Sequence, residues 1–378
     1  MAYTDFIAAI DLGTSHMVGM VGTKNATGAL SIIAYEVENS GTCIRRGCVY
    51  NVKETASKIK RLILKLENKL GGTKIGQVYV GLGGQSLRSI EHTVCKVLGT
   101  EGVVTEEIID SLYQECKDYR PDMLTVLDVV SPSYFLDDKP ESNPVGVPCS
   151  RIEARYKLIV GRPSLKLNIV NSISEQAKIE IAGILVSPLA LGDVVLSDNE
   201  KDLGCALIGF GAGVTTISVY KGGKLASLSV VPFGGNLITK DITNLRVVES
   251  EAERLKITYG SAKADRDNDM TIQVSLADGM GLREIKLAEL NGVIEARMDE
   301  ILENVYARLE ATGLMSVLGA GIVITGGGAA LKNLPAVMSE RLKMEGRYSA
   351  VRQGGGASGG LVVASHPEIT GAVGLLGD

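Results

Sequence analysis

Two short segments rich in glycine and hydroxyl side chains could bind phosphate groups. The first, Asp11-Leu12-Gly13-Thr14-Ser15, follows an apolar run that begins at Phe6 and leads into a second β-prone run over residues 17–22. This pattern predicts a β-hairpin whose tip presents several backbone N–H groups, so that Gly13, Thr14 and Ser15 could hold phosphate oxygens. Asp11 at the strand end could hold Mg²⁺ beside them through water. Ordinary turns have the same composition, so this loop alone does not decide the function.

The chain repeats this unit near its middle. An apolar run over residues 205–209 precedes Gly211-Ala212-Gly213-Val214-Thr215-Thr216, and another β-prone run over 217–220 follows. Two copies of one strand–turn–strand unit predict a duplicated, two-lobed architecture. Two hairpin tips that face each other across a cleft could hold a polyphosphate from both sides. We assign this role in the second tip to Gly211, Ala212, Gly213, Thr215 and Thr216.

Two further segments would complete a nucleotide site. The apolar run over residues 322–325 leads into Gly326-Gly327-Gly328-Ala329, against which a flat base could lie. Three consecutive glycines exceed what a strand-to-helix turn requires. Glu253 and Lys256 lie three residues apart on a helix predicted over 249–259 and therefore share one face. They could contact ribose hydroxyls and phosphate, or they could form only a surface ion pair.

The composition indicates a folded protein of more than one domain. The chain has 378 residues, of which 45% are hydrophobic and 22% charged, enough for a large core. Its net charge of −5 provides no basic footprint for duplex DNA, so we expect no nucleic acid partner. The scattered cysteines and separated histidines favour reduced thiols and disfavour a zinc site. We expect neither a signal peptide nor a membrane span, and predict a soluble protein.

Helices and strands alternate between these segments. We predict helices over residues 52–70, 105–119, 174–182 and 189–196 and from 331 onward, strands over 30–37, 78–82, 124–130, 153–160 and 185–187, and a proline-rich loop over 131–148. The stretch from about 84 to 161 is typical of a small inserted α+β subdomain. The first helix has a row of basic residues on one face, which suits either a solvated surface or a membrane surface.

In this order, the four segments resemble the two phosphate motifs, the adenosine-side motif and the adenosine motif of the actin, heat-shock chaperone and sugar-kinase superfamily. Finer features resemble the FtsA family of bacterial cell-division proteins. These are Ile44-Arg45-Arg46-Gly47 with Asn51, Pro232-Phe233-Gly234-Gly235, Thr239-Lys240-Asp241-Ile242, the stretch over residues 252–260, and Gly371-Ala372-Val373-Gly374-Leu375-Leu376. The resemblance covers essentially the whole chain and adds Gly234 and Gly235 to the candidate cofactor-binding residues.

The resemblance implies an α/β protein with the actin-like, ribonuclease H-like two-lobed ATPase fold and an FtsA-type inserted α+β subdomain. It assigns residues 1–83, 162–197 and 368–378 to subdomain IA, and 84–161 to the inserted subdomain IC. It assigns residues 198–235 and 314–367 to subdomain IIA, and 236–313 to subdomain IIB.

The resemblance also implies a function. A protein of this family binds ATP with Mg²⁺, polymerises into filaments, and links the FtsZ ring to the cytoplasmic membrane and to division-machinery membrane proteins. It lies in the cytoplasm, at the inner face of the membrane at the division site. The FtsZ C-terminal tail is expected on subdomain IIB. A long amphipathic helix is predicted within that subdomain, with one apolar stripe formed by Leu290, Ile294, Met298, Ile301, Val305 and Leu309. The family's membrane-binding C-terminal helix is absent from this chain, which ends at Asp378, so we expect weak binding to bilayers.

One departure from the superfamily pattern bears on catalysis. Gly209 stands where the second phosphate motif usually has Asp, which helps to place Mg²⁺ and the attacking water. We therefore predict that ATP binding is retained, that hydrolysis is slow or absent, and that no residue serves as a catalytic group. The alternatives on the same fold are an MreB-like filament protein, a pilus-assembly ATPase and a small-molecule kinase, although the carboxylate base that a kinase needs has no visible motif.

Overall fold

A computed structural model describes residues 6–24, 30–100, 102–275 and 281–348. The predicted subdomain segments 349–367 and 368–378, with the motif over 371–376, lie outside the described residues. The helices are α1 Val52–Lys69, α2 Glu106–Asp118, α3 Ser164–Val170, α4 Ser187–Val195, α5 Asp198–Leu203, α6 Gly235–Ile242, α7 Glu249–Tyr259, α8 Leu287–Glu310 and α9 Leu334–Leu342. The strands are β1 Ile7–Leu12, β2 His16–Lys24, β3 Leu30–Asn39, β4 Ile44–Arg45, β5 Cys48–Val49, β6 Gln77–Leu82, β7 Arg88–Val97, β8 Thr125–Leu136, β9 Lys139–Glu141, β10 Arg151–Gly161, β11 Glu180–Val186, β12 Cys205–Phe210, β13 Thr215–Lys221, β14 Lys224–Val231, β15 Thr271–Ser275, β16 Leu282–Lys286, β17 Ile322–Thr325 and β18 Gly346–Tyr348.

Two five-stranded sheets share one topology. The first sheet has the order β3-β2-β1-β6-β11, and the second has the order β14-β13-β12-β17-β18. In each, the central strand pairs antiparallel with the strand that follows it in sequence and parallel with the strand on its other side. The predicted hairpins and the duplication are therefore confirmed. The duplication places the turn after β1 and the turn after β12 at equivalent positions of two lobes.

The central strands are apolar because both faces of each sheet are covered. Every residue of β12 and β17 is buried, as expected for strands with helices or strands packed on both sides. In the first lobe, α1 packs a stripe that includes Ile59, Leu62 and Leu66 against the first sheet. In the second lobe, α8 buries its predicted stripe: Leu290, Ile294, Met298, Ile301, Val305 and Leu309.

The basic face of α1 is paired with acidic residues of its own lobe. Arg61 and Lys65 both contact the carboxylate of Glu38 on β3, at 2.8 and 2.9 Å. Lys69 contacts Glu36 on the same strand, at 2.7 Å. The side chains remain about half exposed, so the structure favours a solvated, ion-paired face over a membrane-binding one.

Residues 84–161 contain a third sheet, with the order β7-β10-β8-β9 and α2 on one face. This sheet also touches the edge of the second sheet. The backbone N–H of Leu228 on β14 donates to Ser89 Oγ on β7 at 2.8 Å. Close by, Lys224 Nζ donates to the carbonyl of Pro132. The inserted segment thus contacts the second lobe, although its chain enters and leaves from the first.

Three expectations about elements were wrong. Half of the predicted loop over 131–148 is strand, because β8 extends to Leu136, with Pro132 at a bulge opposite β10, and β9 follows. The helix predicted over 174–182 ends earlier: a π-helical turn covers 171–177, Lys178 adopts a left-handed conformation, and the residues after it pair with β6 as strand β11. The helix expected from 331 begins at 334, after a 3₁₀ turn over 327–330. In the second case the competing contact is the tertiary pairing of β11 with β6. In the third case Asn333 and Pro335 mark the later start of the helix locally.

Candidate functional site

Two loops at the ends of equivalent strands form the centre of the candidate site. We call residues 13–15 the first loop and residues 211–214 the second loop. The N–H of Gly211 donates to the carbonyl of Val214 at 3.0 Å and closes the second loop. In the described part of the chain, the N–H groups of residues 13–15 and 212–214 have no protein acceptor. Both tips therefore present unpaired donors, as an anion-binding turn does.

The two loops touch at Thr14. A Cβ atom built on Gly213 would lie 2.5 Å from Thr14 Oγ1. The same hydroxyl accepts a hydrogen bond from the N–H of Gly47, at 2.9 Å. Gly47 follows the β4 strand, so the segment between β4 and β5 packs against the first loop. The structure thus brings the two predicted phosphate loops together at one place, between the lobes.

Asp11 is the fifth residue of the six-residue strand β1, two positions before the first loop. Burial raises the pKa of its carboxyl group from 3.8 to about 6, although a hydrogen bond from the Leu12 backbone lowers it in part. None of the described residues forms an ion pair with this carboxylate. A partly buried carboxylate without a cation beside it is well suited to attract a metal ion.

Gly209 occupies the equivalent position in the second lobe, as the fifth residue of the six-residue strand β12. It pairs with Thr216 on β13 and Thr325 on β17. A Cβ atom at this position would lie 2.4 Å from Thr216 Oγ1. The hydroxyl of Thr216 thus occupies the space that a side chain of residue 209 would need.

The N-terminal end of helix α6 is hydrogen-bonded to the second loop. The N–H of Gly235 donates to the carbonyl of Gly211 at 3.0 Å, and the N–H of Asn236 donates to that of Ala212 at 2.8 Å. A Cβ atom on Gly234 would lie 2.5 Å from the carbonyl oxygen of Gly211, which explains why no side chain is present there. Glu253 and Lys256 on α7 form an ion pair at 2.7 Å. Lys256 Nζ also donates to the carbonyl of Gly235 at 3.2 Å, so this pair adjoins the loop-bearing end of α6.

The three glycines after β17 serve different purposes. Gly326 has φ +92°, a conformation that favours glycine. A Cβ atom on Gly328 would lie 2.5 Å from the ring of Phe210, the residue that precedes the second loop. Gly327 has no atom within 4 Å of such a Cβ and faces open space. Only the middle glycine is therefore left without a packing reason, and it lies where a base could approach.

Not every predicted site residue points its side chain toward the cleft. Thr215 is buried and donates its hydroxyl hydrogen bond to the carbonyl of Phe233 at 2.9 Å. Ala329 is buried in the core of the second lobe. Both side chains are buried in the second lobe, so Thr215 and Ala329 could contribute to ligand binding only through their backbone groups.

Within the described residues, no group of three or more His, Cys, Asp or Glu side chains could hold a metal ion by itself. A metal at Asp11 would need oxygen ligands from elsewhere, such as phosphate and water.

A cavity of about 690 Å³ lies against α3 and β11, away from both loops, and is lined in part by Lys166 and Lys178.

Comparisons with known proteins agree with this geometry. The family model described as "Cell division protein FtsA" matches residues 206–374. The cell division protein FtsA of Porphyromonas gingivalis is 41% identical over 337 residues, which cover 89% of this chain and 70% of that protein. The FtsA of Bacillus subtilis is 32% identical over 346 residues, covering 90% of this chain and 76% of that protein. The chain belongs to the FtsA family. The suspected relationship is therefore confirmed, and this FtsA-family chain is an actin-like cell-division protein.

Solved structures confirm the actin-like two-lobed fold of this FtsA-family chain. The PilM-PilN type IV pilus biogenesis complex contains a chain with a TM-score of 0.65 at 16% identity, covering 98% of this chain and 97% of that one. MreB5 of Spiroplasma citri bound to ADP matches with a TM-score of 0.54 at 14% identity, covering 96% and 95%. The MamK double helical filament matches with a TM-score of 0.56 at 13% identity, covering 98% and 97%. These identities show the fold alone.

The structure adds residues to the site that the sequence analysis did not assign to it. Ser40 donates to the carbonyl of Gly13 at 2.7 Å and fixes the first loop. Thr239 lies between Glu253 and Lys256. The hydroxyl of Thr325 is buried without a hydrogen-bond partner among the described residues, at the end of β17. Thr239 could have been found from the sequence, because it lies four residues after Gly235 and therefore on the same face of α6. Ser40 reaches the site only through tertiary pairing.

Among the described helices, none has the length and the apolar composition needed to span a membrane.

Proposed function

We propose that this chain binds an adenine nucleotide with Mg²⁺ between its lobes, with ATP as the ligand. The observation that supports it is the contact between two equivalent loops whose N–H groups are unpaired among the described residues, the first loop beginning two residues after Asp11. Backbone N–H groups in such turns suit phosphate oxygens, and a carboxylate suits a hydrated Mg²⁺. The nucleotide residues we assign are Asp11, Gly13, Thr14, Ser15, Gly211, Ala212, Gly213, Thr215, Thr216, Gly234, Gly235, Glu253, Lys256, Gly326, Gly327, Gly328 and Ala329.

The residues of the site fit this group. Gly213 packs against Thr14 and Gly234 against the carbonyl oxygens of Gly211 and Ala212, so the absence of side chains lets the loops and α6 pack closely and keeps the backbone donors together. Gly327 is open toward solvent, where a base could lie. Bound Mg²⁺ would neutralise charge on the phosphates, and the protein would contribute positioning through its two loops.

Hydrolysis is proposed to be slow or absent. Asp11 keeps its carboxylate in the first lobe, but its equivalent in the second lobe is Gly209, which offers no side chain at all. The neighbouring hydroxyl of Thr216 fills that space. A hydroxyl can orient a water molecule but is a weak base at neutral pH, so the site is suited to holding a nucleotide longer than a site with two carboxylates.

Family membership supports the partners. FtsA-family membership, together with a filament among the fold neighbours, supports self-association and a role in division. We propose that the chain links the FtsZ ring to the inner face of the cytoplasmic membrane and to membrane proteins of the division machinery. The subdomain boundaries IA, IC, IIA and IIB given above also remain part of this proposal.

The FtsZ C-terminal tail is proposed to bind residues 236–313. The predicted stripe of α8 is core, so it does not form the docking surface. Exposed apolar side chains in this segment are better candidates, because Ile257 on α7 is 72% exposed and Leu282 on β16 is 68% exposed. Ile257→Glu is expected to lower the affinity for a synthetic FtsZ-tail peptide by about tenfold or more. Leu167→Glu on α3, where Leu167 is 56% exposed, is the matched control and should have no effect.

The primary test is nucleotide binding by the purified chain. Titrations with ATP, ADP and GTP in Mg²⁺ should show adenine-selective binding, and assays of phosphate release should show little turnover. Absence of binding by any of the three nucleotides would reject the proposed nucleotide site. Rapid phosphate release would reject only the proposal of slow hydrolysis.

A further inference from the structure

The cavity of about 690 Å³ in the first lobe lies along the edge of a sheet. Lys166, Val170 and Ser174 form one side of it, at four-residue spacing on α3 and the π-helical turn that follows, so they share one helix face. The other side includes Ile181 and Ile184 of β11. We call this cavity the edge groove. None of its described lining residues belongs to the candidate nucleotide site.

Strand β11 has a strand neighbour on one side only. In the described part of the chain, β11 pairs with β6 and ends the order of the first sheet. The backbone groups of residues 181–184 form no hydrogen bonds with described residues beyond that pairing. An edge strand of this kind presents unpaired N–H and C=O groups to which an extended peptide can add as a further strand.

The edge groove also offers apolar contacts. Ile181 and Ile184 are partly buried and pack against the core of the first lobe. Val170 is partly buried on the opposite side of the groove. Successive side chains of a strand point to opposite faces, so a strand added to β11 would direct every second side chain toward one face of the sheet. The groove therefore suits a peptide with alternating apolar residues.

Two lysines of the lining, Lys166 and Lys178, are exposed and have neither an ion-pair nor a hydrogen-bond partner among the described residues. The basic residues of α1 differ, because acidic residues of β3 neutralise three of them. Glu180 is the third charged residue of the groove. Two lysines and one glutamate leave the lining with an excess of positive charge, which is complementary to an acidic ligand.

The backbone of Lys178 is unusual for a lysine. It follows the π-helical turn and has φ +61°, in the left-handed region. Glycine is the residue that this conformation favours after a helix. Local backbone geometry therefore gives no reason for a lysine at this position, whereas an ammonium group at the groove does.

The spacing of the two lysines matches the length of a short strand. Lys166 and Lys178 are separated by one helical turn after another, which at about 1.5 Å per residue places them roughly 15–18 Å apart along the helix. An extended peptide spans that distance with about five residues, at ~3.3 Å each. Both ammonium groups could therefore meet one bound strand.

We propose that the edge groove binds an extended segment of a partner protein, which adds to β11 as a further strand and pairs its carboxylates with Lys166 and Lys178. The ligand class is an acidic, strand-forming peptide with alternating apolar residues and two Asp or Glu residues about four to six positions apart. Binding is independent of nucleotide, because the groove and the candidate nucleotide site share no residue.

The test uses a random twelve-residue peptide library displayed on phage. The library is first depleted on the full chain carrying Lys166→Glu and Lys178→Glu, and is then selected on wild type. Enriched peptides should alternate apolar residues and carry two carboxylates at the stated spacing. In fluorescence polarisation, the synthesised peptides should bind the charge-reversed chain about tenfold or more weakly than wild type.

The matched control carries Lys53→Glu and Lys60→Glu on α1. Both lysines are exposed, lack partners among the described residues and lie outside the groove, so the net charge changes equally. This chain should bind the peptides like wild type. Thermal unfolding checks that each variant is folded. If the groove variant is not folded, Lys178→Gly suits the left-handed backbone, removes one charge and should weaken binding about threefold.

Backbone methylation tests the strand pairing. In a strand added at an edge, alternate N–H groups of the peptide donate to the sheet, and the others point away. Each enriched peptide is therefore synthesised in two forms, N-methylated at one alternating set of residues or at the other. One form should lose about tenfold or more in affinity, and the other should stay within about twofold of the unmodified peptide.

Several results would overturn the proposal. These are an absence of enriched peptides, enriched peptides without paired carboxylates, equal binding to wild type and to the charge-reversed chain, and equal effects of the two methylation patterns. If no peptide is enriched but sedimentation shows self-association of wild type that Lys166→Glu with Lys178→Glu abolishes, the groove is an interface between copies of this chain, and the peptide proposal is rejected.

Discussion

Thr14 of the first loop and Gly213 of the second loop lie in direct contact, so that a Cβ atom on Gly213 would stand 2.5 Å from Thr14 Oγ1. The two loops belong to different lobes, and each follows the central strand of its own sheet. Their contact therefore sets how closely the lobes approach at the site. Any side chain at position 213 must push the loops apart or displace Thr14.

Gly213→Ala is expected to lower nucleotide affinity by about tenfold, because the added methyl group separates the two sets of N–H donors that would share one polyphosphate. Stability should change little, since both loops are partly exposed. Calorimetric titration with ATP and thermal unfolding measure the two effects. Gly292→Ala is the control, since a Cβ atom there meets no atom within 4 Å. An unchanged affinity for Gly213→Ala would show that the loop contact is not needed for binding.

The glycines after β17 should separate packing from binding. Gly328→Ala places a methyl group 2.5 Å from the buried Phe210 ring and should cost about 1–3 kcal/mol in the free energy of unfolding. Gly327→Ala meets open space, so it should leave stability unchanged but weaken adenine nucleotide binding. Urea unfolding and ATP titration of both variants check this pattern. If Gly327→Ala binds ATP like wild type, the base does not lie against this residue.

Asp11→Asn should stabilise the protein at neutral pH. Burial raises the pKa of Asp11 to about 6, so the folded state binds a proton more tightly than the unfolded state, and stability falls as the pH rises from about 4 to 6. Each pKa unit corresponds to about 1.4 kcal/mol, which gives Asp11→Asn a gain of about 1–3 kcal/mol at pH 7.5 and almost none at pH 4. Urea unfolding at both pH values measures the difference.

The same Asp11→Asn variant should lose the dependence of nucleotide affinity on Mg²⁺, because it lacks the carboxylate that we assign to the metal. Titrations with and without Mg²⁺ provide this second readout. A variant that is more stable at pH 7.5 but still binds nucleotide in a Mg²⁺-dependent manner would place the metal elsewhere.

Gly209→Asp should raise the rate of phosphate release by about tenfold or more, because it places a second carboxylate at the strand position equivalent to that of Asp11. The new Cβ would lie 2.4 Å from Thr216 Oγ1, so the Thr216 side chain must rotate, and some stability is lost. Gly209→Asn introduces the same bulk without the charge and should remain slow. Equal rates for the Asp and Asn variants would mean that the missing carboxylate does not limit hydrolysis.

The sequence determined the parts of this protein that depend on local patterns. The two hairpins, the helix Glu249–Tyr259 and the apolar stripe of α8 follow from alternation, helical periodicity and turn residues, and the structure contains all of them. The repeat of one strand–turn–strand unit also predicted two lobes. The motif order resembled the actin-like superfamily and finer segments resembled the FtsA family, and the comparisons confirm the family.

Tertiary structure alone decided the rest, because long-range pairing overrides weak local preference. The sequence pattern predicted a strand only from residue 185, and residues 180–184, predicted in part as helix, join strand β11 because β6 offers a parallel partner. Pro132 lies inside a long strand because β10 tolerates a bulge there. Thr239 forms hydrogen bonds with Glu253 and Lys256, which lie 14 and 17 positions further along the chain. The contact of Thr14 with Gly213 connects the two lobes. Spacing along the chain cannot encode such contacts, since they arise only when separate elements pack against each other.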